Sequence, residues 1–439
     1  MLLYNLLFYC ALPIILLRLL WRGLKAPQYW QRWLERFAYF TLDHRFSSFK
    51  KDRAKKTSSK KKVIWLHAVS VGEVLASKGL VEQCLARYGN PIIVLTTMTP
   101  TGSTQVKRLF GEQVFHIYAP YDYFGAVSRF LNKIKPDVFL IMETEIWPNM
   151  VSQCQKKNIP VLLLNARLSE KSLKRYQKFP RFSSFVFNKI DYIFAQSEAD
   201  KKRFIKLKTA SSEDVIVVGN IKSDIAIDKK IKKIASDYRA RLEKDSPRKI
   251  IIAASTHKGE DEIILAAYKV LKPRFPSLLL ILVPRHPERF ELVAELCQKE
   301  QLNCSRKSTN DIVTAQADVL LADAMGELLM LYGVSDVAIM GGTFIEHGGH
   351  NPLEPAAWGL PIVSGNSDYN FALVSQELED LSVLTKASNK HAVAKYVGEL
   401  LDSKQLRDDK RAKALAYMEK NRGALARLLK NIEPHIQKN

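Results

Sequence analysis

The sequence has little cysteine, and none of it is paired in a recognisable way. Cys10, Cys84, Cys154, Cys297 and Cys304 are scattered, odd in number and without a C-x-x-C pair. That excludes a disulfide framework and a cysteine-based zinc site, and reads as reduced thiols in a cytosolic body. Acidic residues are scarce: 45 Asp and Glu stand against 67 Lys and Arg, a formal charge of +22. So basic a chain is drawn to phosphate-bearing partners, whether nucleic acid, anionic lipid or a phosphorylated substrate. Asp-x-Asp is absent, which removes a common means of holding a divalent cation on a nucleotide diphosphate. No basic residue precedes the first apolar run, which argues against a cleaved signal peptide. Disorder is excluded by a composition of 47% hydrophobic and 26% charged residues, and 439 residues suffice for two domains.

What is present begins with an uncharged stretch, Met1 to Leu17, extended by Leu19, Leu20 and Trp21, with Arg18, Arg22 and Lys25 after it. Residues 1–21 are expected to form a membrane anchor whose flanking cations leave the rest of the chain in the cytoplasm, with a buried or interfacial first helix as the other reading, because the run is short and contains Pro13. A basic juxtamembrane linker, 22–62, follows; its run Lys50 to Lys62 suits anionic headgroups. From Val63 short apolar runs alternate with helical patterns, pause over the charged stretch 227–248, and resume at Lys249. The rhythm predicts an α/β fold of two doubly wound, Rossmann-like domains, 63–226 and 249–439, joined by a polar hinge and facing one cleft.

Chemistry is expected beyond the strand ends. Glu73 follows the first strand, as a base or as an early-helix acid, and Glu143 and Glu145 follow the run VFLIM. In the second domain Gly341 to Gly365 reads as a glycine-rich loop entering a helix at Pro352, with Glu354 placed to accept from ribose hydroxyls. Asp323 to Glu327 is a similar turn, and Arg285 with His286 follows another strand. His347, His350 and Glu354 make a poor metal set, since the intervening glycines argue for a tight loop. Lys171 to Ile190 interleaves cations with Tyr176, Phe179, Phe182, Phe185 and Phe187, which fits equally a membrane-facing segment or a core helix broken at Pro180.

HAVSVGE, METEIWPN, NARLS, GNIKSD, VPRHPER and GGTFIEHGGHNPLEP, in this order, resemble the 3-deoxy-D-manno-octulosonic acid (Kdo) transferase family from about Val63 to Asn370. The resemblance implies a GT-B fold and transfer of Kdo from CMP-Kdo to the lipid A precursor at the inner face of the bacterial inner membrane; since the sequence offers no evident metal site, neither metal nor cofactor is expected. By motif, Glu73 looks like the general base, and Glu143 and Lys222 like transition-state stabilisers. Pro284, Arg285, Met325, Gly326, Glu327, Asn351, Pro352, Leu353 and Glu354 look like the CMP-binding segments. Two other classes stay open: another nucleotide-sugar enzyme of this architecture, such as a glycosyltransferase or an epimerase, and an anchored nucleic-acid-binding protein, which explains the charge but not the carboxylates.

Overall fold

In the computed structural model the described residues are 1–25, 30–42, 62–89, 91–207, 212–225, 227–244, 246–309, 313–314, 316–324 and 326–437. Residues 50–61 of the expected basic run, and Met325, lie outside them. The chain divides into two units, 1–221 with 423–439, and 222–422.

The first unit is built on strands β1 (Val63–His67), β2 (Ile92–Thr97), β3 (Phe115–Tyr118), β4 (Val138–Met142), β5 (Val161–Ala166), β6 (Tyr192–Ala195) and β7 (Val215–Val217). They form one sheet in the order β3-β2-β1-β4-β5-β6-β7, every pair parallel. β1, β4 and β5 are buried end to end. Their unbroken apolar runs follow from helices covering both faces. Alternation divides them: Val63, Trp65, Phe139 and Ile141 enter one core, Ile64, Leu66, Val138 and Leu140 the other.

The second unit repeats the plan with β8 (Ile250–Thr256), β9 (Leu279–Pro284), β10 (Cys304–Arg306), β11 (Val319–Leu321), β12 (Val337–Met340), β13 (Ile362–Ser364) and β14 (Leu384–Lys386). Its order is β10-β11-β9-β8-β12-β13-β14, again all parallel. Two doubly wound sheets preceded by an apolar helix are thus the observed fold.

Three boundaries differ from the sequence reading. The supposed hinge carries the helix Lys229–Leu242, whose Ala235, Tyr238 and Leu242 enter a core of the second unit. Their spacing of three and four makes a narrow apolar stripe that surrounding lysines conceal in the sequence. The C-terminal helix Ala424–Gln437 belongs to the first unit, where Leu428, Leu429, Ile432 and Ile436 pack beneath the sheet. Residues 30–42, assigned to a linker, are also part of that unit. Arg32 donates to the carbonyl of His116 (2.8 Å), Arg36 is buried over the Tyr118 ring, and Ala38 lies in the core. These cations satisfy backbone carbonyls of the first unit.

The first helix, Leu2–Lys25, contains a stretch, Tyr4–Trp21, long and apolar enough to cross a membrane. The segment 171–190 splits at Pro180 into the helices Glu170–Gln177 and Pro180–Phe187. Phe187 is buried, with Tyr176 edge-on to it at 5.1 Å, as the core reading expects, whereas Phe179, Phe182 and Phe185 are exposed.

Candidate functional site

In each sheet the strand order reverses at one place, between β1 and β4 in the first and between β8 and β12 in the second. Open parallel sheets bind ligands beyond the carboxyl ends of such a pair, where the flanking loops diverge to opposite faces. Glu73 follows β1 and Glu143 follows β4; His257 follows β8 and Gly341 follows β12.

In the first unit β1 ends in His67, fully buried and held by Thr96 Oγ1 at 2.9 Å; burial lowers its pKa to about 4. Ser70 then caps the helix Val71–Ala76. The Ser70 hydroxyl donates to Glu73 Oε1 (2.7 Å), and Val69 N–H donates to Glu73 Oε2 (2.8 Å), a variant of the capping box. The early-helix role considered for Glu73 is therefore real, and it positions the carboxylate. Glu73 is only 5% exposed. Burial pushes its pKa up to about 7 against the Ser70 hydrogen bond, and the charges of Glu143 and Glu145 act in the same upward direction. Burial and Glu143 also raise Glu145. Because β4 stops at Met142, strand alternation does not aim Glu143 and Glu145. Instead Glu143 turns the chain in the left-handed region, φ 58°, while its N–H donates to the Leu164 carbonyl (2.8 Å). Such backbone strain at a strand end is characteristic of functional turns.

Asn165, in the NARLS motif, also has positive φ, 51°, at a register shift between β5 and β6. Its Oδ1 accepts from Ile221 N–H (3.1 Å). Lys222 follows in the turn Ile221–Ser223, as the first residue of the second unit.

In the second unit Ser255 has φ 59° at a matching register shift between β8 and β9. Gly341 is required here, since a Cβ would lie 2.4 Å from the Ser255 carbonyl oxygen. One buried carboxylate organises both loops. Glu260 Oε2 accepts from the N–H groups of His257 (2.9 Å) and Gly342 (2.7 Å), and Oε1 from those of Thr343 (3.0 Å) and Phe344 (2.9 Å). From Gly341 to Asn351 the chain runs in turns and irregular backbone, as a glycine-rich loop should. The helix after Pro352, Leu353–Ala357, has five residues, so its dipole is weak.

Side chains of these loops converge. His257 Nε2 lies 2.9 Å from His350 Nε2 with the rings parallel, and the His347 ring is centred 3.9 Å from that of His257. Burial, then the neighbouring imidazole, lowers His257 to about 4 and His350 to about 3; Arg285 and His286 act in the same direction on both. Burial raises the Glu354 pKa, against the Asn351 hydrogen bond and the Arg285 charge. Asn351 Oδ1 accepts from Leu353 N–H (3.2 Å), fixing the loop. Pro284 is the buried last residue of β9; Pro352 and Leu353 are buried too. Gly326 has φ 88°, and Glu327 accepts from Lys307 (3.0 Å). Thus Arg285, Asn351 and Glu354 are gathered with the histidines, whereas Glu327 has turned to Lys307.

One nitrogen from each of His257, His347 and His350 falls within 4.8 Å of the others, spacing that could hold a metal ion. This set replaces Glu354 of the sequence-level grouping with His257. The charges of Arg285 and Arg289 lie close enough to act on His257, and Arg289 is itself paired with buried Asp261. His257 and Glu260 escaped the sequence reading. Their signal is Ser255-Thr-His-Lys-Gly-Glu260, a strand-to-helix turn of the same design as those singled out.

Residues 31–225 match the family described as 3-Deoxy-D-manno-octulosonic-acid transferase (kdotransferase), and residues 235–417 match Glycosyl transferases group 1. The 3-deoxy-D-manno-octulosonic acid transferase of Haemophilus influenzae is 39% identical over 99% of this chain and 98% of its own length. The transferase of that name from Bordetella pertussis is 31% identical, over 84% of this chain and 86% of its own. Among solved structures, the C-terminal CMP-Kdo binding domain of WaaA from Acinetobacter baumannii is 32% identical, with a TM-score of 0.42, and is covered completely by 44% of this chain.

Proposed function

The chain belongs to the 3-deoxy-D-manno-octulosonic acid (Kdo) transferase family, glycosyltransferases of GT-B architecture, and from that premise we propose that it moves Kdo from CMP-Kdo onto the lipid A precursor with inversion. Ionised Glu73 takes the proton of the acceptor hydroxyl as the oxygen attacks the anomeric carbon. The bond from that carbon to the CMP phosphate breaks on the opposite face, and CMP leaves with the electron pair. Glu143 opposes the positive charge of the oxocarbenium-like state; Lys222 and Arg285 offset negative charge on the departing phosphate. CMP rests on Arg285 and on the segments around Gly326 and Asn351 to Glu354. The reaction proceeds at the cytoplasmic face of the inner membrane, without a metal ion.

The observation that supports this reading is one chain carrying a buried carboxylate of raised pKa at one switch point and guanidinium and imidazole groups at the other. Incubation with CMP-Kdo and lipid A precursor should yield product heavier by one or more Kdo, read by mass spectrometry, with or without EDTA. No added mass would sink the donor and acceptor assignment; loss of transfer in EDTA alone, restored by one divalent ion, would sink metal independence. A thermal-shift comparison of CMP, UDP and an oligonucleotide tests the other two classes, with stabilisation expected from CMP.

Arg285→Ala should weaken CMP binding roughly 10- to 150-fold, the equivalent of about 1.5–3 kcal/mol for a charge-assisted hydrogen bond. Arg285→Lys should recover part of it, because an ammonium supplies charge but not the bidentate fork. Calorimetric titration with CMP checks both; unchanged affinity in Arg285→Ala would remove the residue from the donor site.

A further inference from the structure

The first helix touches the first unit at its start and in its middle, and meets Trp30 near its end. At its start Tyr4 donates to Asp122 Oδ2 (2.8 Å), and Asn5 accepts from Asn149 Nδ2 (2.7 Å). Asp122 is itself fixed, 1% exposed and accepting from the N–H groups of Asn149 and Met150, both 2.9 Å. In the middle, Phe8 and Ile15 pack on a cluster of Tyr121, Tyr123 and Ala126. Near its end Leu19 is buried, and Gly23 lies so close to Trp30 that a Cβ would overlap the indole. Positions 4, 8, 15, 19 and 23 form one stripe at helical spacing.

From Tyr4 to Gly23 the helix rises about 29 Å, at 1.5 Å per residue, close to the ~30 Å thickness of a hydrocarbon core. Were the helix to cross a bilayer with the first unit on one side, Tyr4 would be carried to the far side, away from Asp122. The opposite face carries a second stripe, Leu7, Ile14, Leu17, Trp21 and Leu24, each more than half exposed. A solvated helix does not present such a face without a partner. Beside it the Tyr4 ring meets Phe182 at 5.7 Å, joining the helix to exposed Phe179 and Phe185 and to exposed Lys174, Lys178 and Arg181.

We propose that the helix Leu2–Lys25 lies flat in one leaflet, one stripe on the first unit and the other in lipid, and does not span the bilayer. The occupant of the apolar face is the acyl and headgroup boundary of an anionic membrane, with the neighbouring lysines and arginines on its phosphates.

The test labels single cysteines at Leu7, Ile14 and Leu24 with an environment-sensitive dye in full-length protein with Cys10→Ser, bound to phosphatidylethanolamine–phosphatidylglycerol vesicles. Lipid-borne quenchers then report depth. Three similar depths, about 5–10 Å into the boundary, are expected. A spanning helix would instead place Ile14 near the bilayer centre, about 10–15 Å deeper than Leu7 and Leu24 at the two opposite boundaries, and that pattern would overturn the proposal. So would failure to bind the vesicles while the unfolding transition is unchanged. As a second measurement, an epitope placed before Met1 should be cut by protease on the side where the body is cut. Protection of the epitope while the body is digested would also overturn it.

Discussion

Glu73→Gln should lower turnover by roughly 10²- to 10⁴-fold, the contribution typical of a general base, while CMP binding and the unfolding transition stay near normal. The amide keeps an oxygen for Val69 N–H or the Ser70 hydroxyl, so the helix cap survives in part. A merely structural residue would show the reverse pattern, a lower transition temperature with turnover preserved. The pH profile separates the roles further. Burial and the like charges of Glu143 and Glu145 bring the Glu73 pKa to about 7, and a base acts only when ionised. Turnover should therefore rise with pH, with a half-point near 7, and that limb should vanish in Glu73→Gln. An unchanged limb in the variant would assign the titration to another group.

Several features behind that prediction were legible from sequence because burial on both faces of a parallel sheet leaves unbroken apolar runs. β1, β4 and β12 are such strands, and the acids after the first two and the glycines after the third were found by position alone. The strands overlooked, β3, β10 and β14, have three or four residues, include polar ones and lie at sheet edges, where one flank has no neighbour to bury. Strand order is invisible in a sequence, since pairing is non-local; only the fold reveals that Glu73 and Glu143 follow the two strands of one switch point. The first unit also reaches beyond its own apolar rhythm. Arg32 and Arg36 read as linker residues because nothing local shows that carbonyls at His116 and Met98 will receive them. The C-terminal helix returns to the first core by tertiary packing, which overrides proximity along the chain.

Glu260→Ala should have the largest effect on stability of any single change at the site. Its carboxylate is fully buried and accepts four backbone N–H groups, from His257, Gly342, Thr343 and Phe344. Truncation leaves all four donors in a dry interior, each costing about 1–3 kcal/mol if no other acceptor arrives. Some relaxation and water entry will recover part, so a net loss of about 3–5 kcal/mol is expected, the range found for breaking a buried charged network. For a unit spanning 222–422 that loss lowers its unfolding temperature by on the order of 10 °C. CMP affinity should fall with it, because the two segments so joined carry His257, His347 and His350. Glu260→Gln is the informative companion. Its amide offers one oxygen in place of two and turns an NH₂ toward two donors, so about half the loss should remain. Urea unfolding followed beside CMP titration checks both variants. Near-normal stability in Glu260→Ala would mean that the glycine-rich loop holds its shape by its own turns, with the carboxylate a bystander.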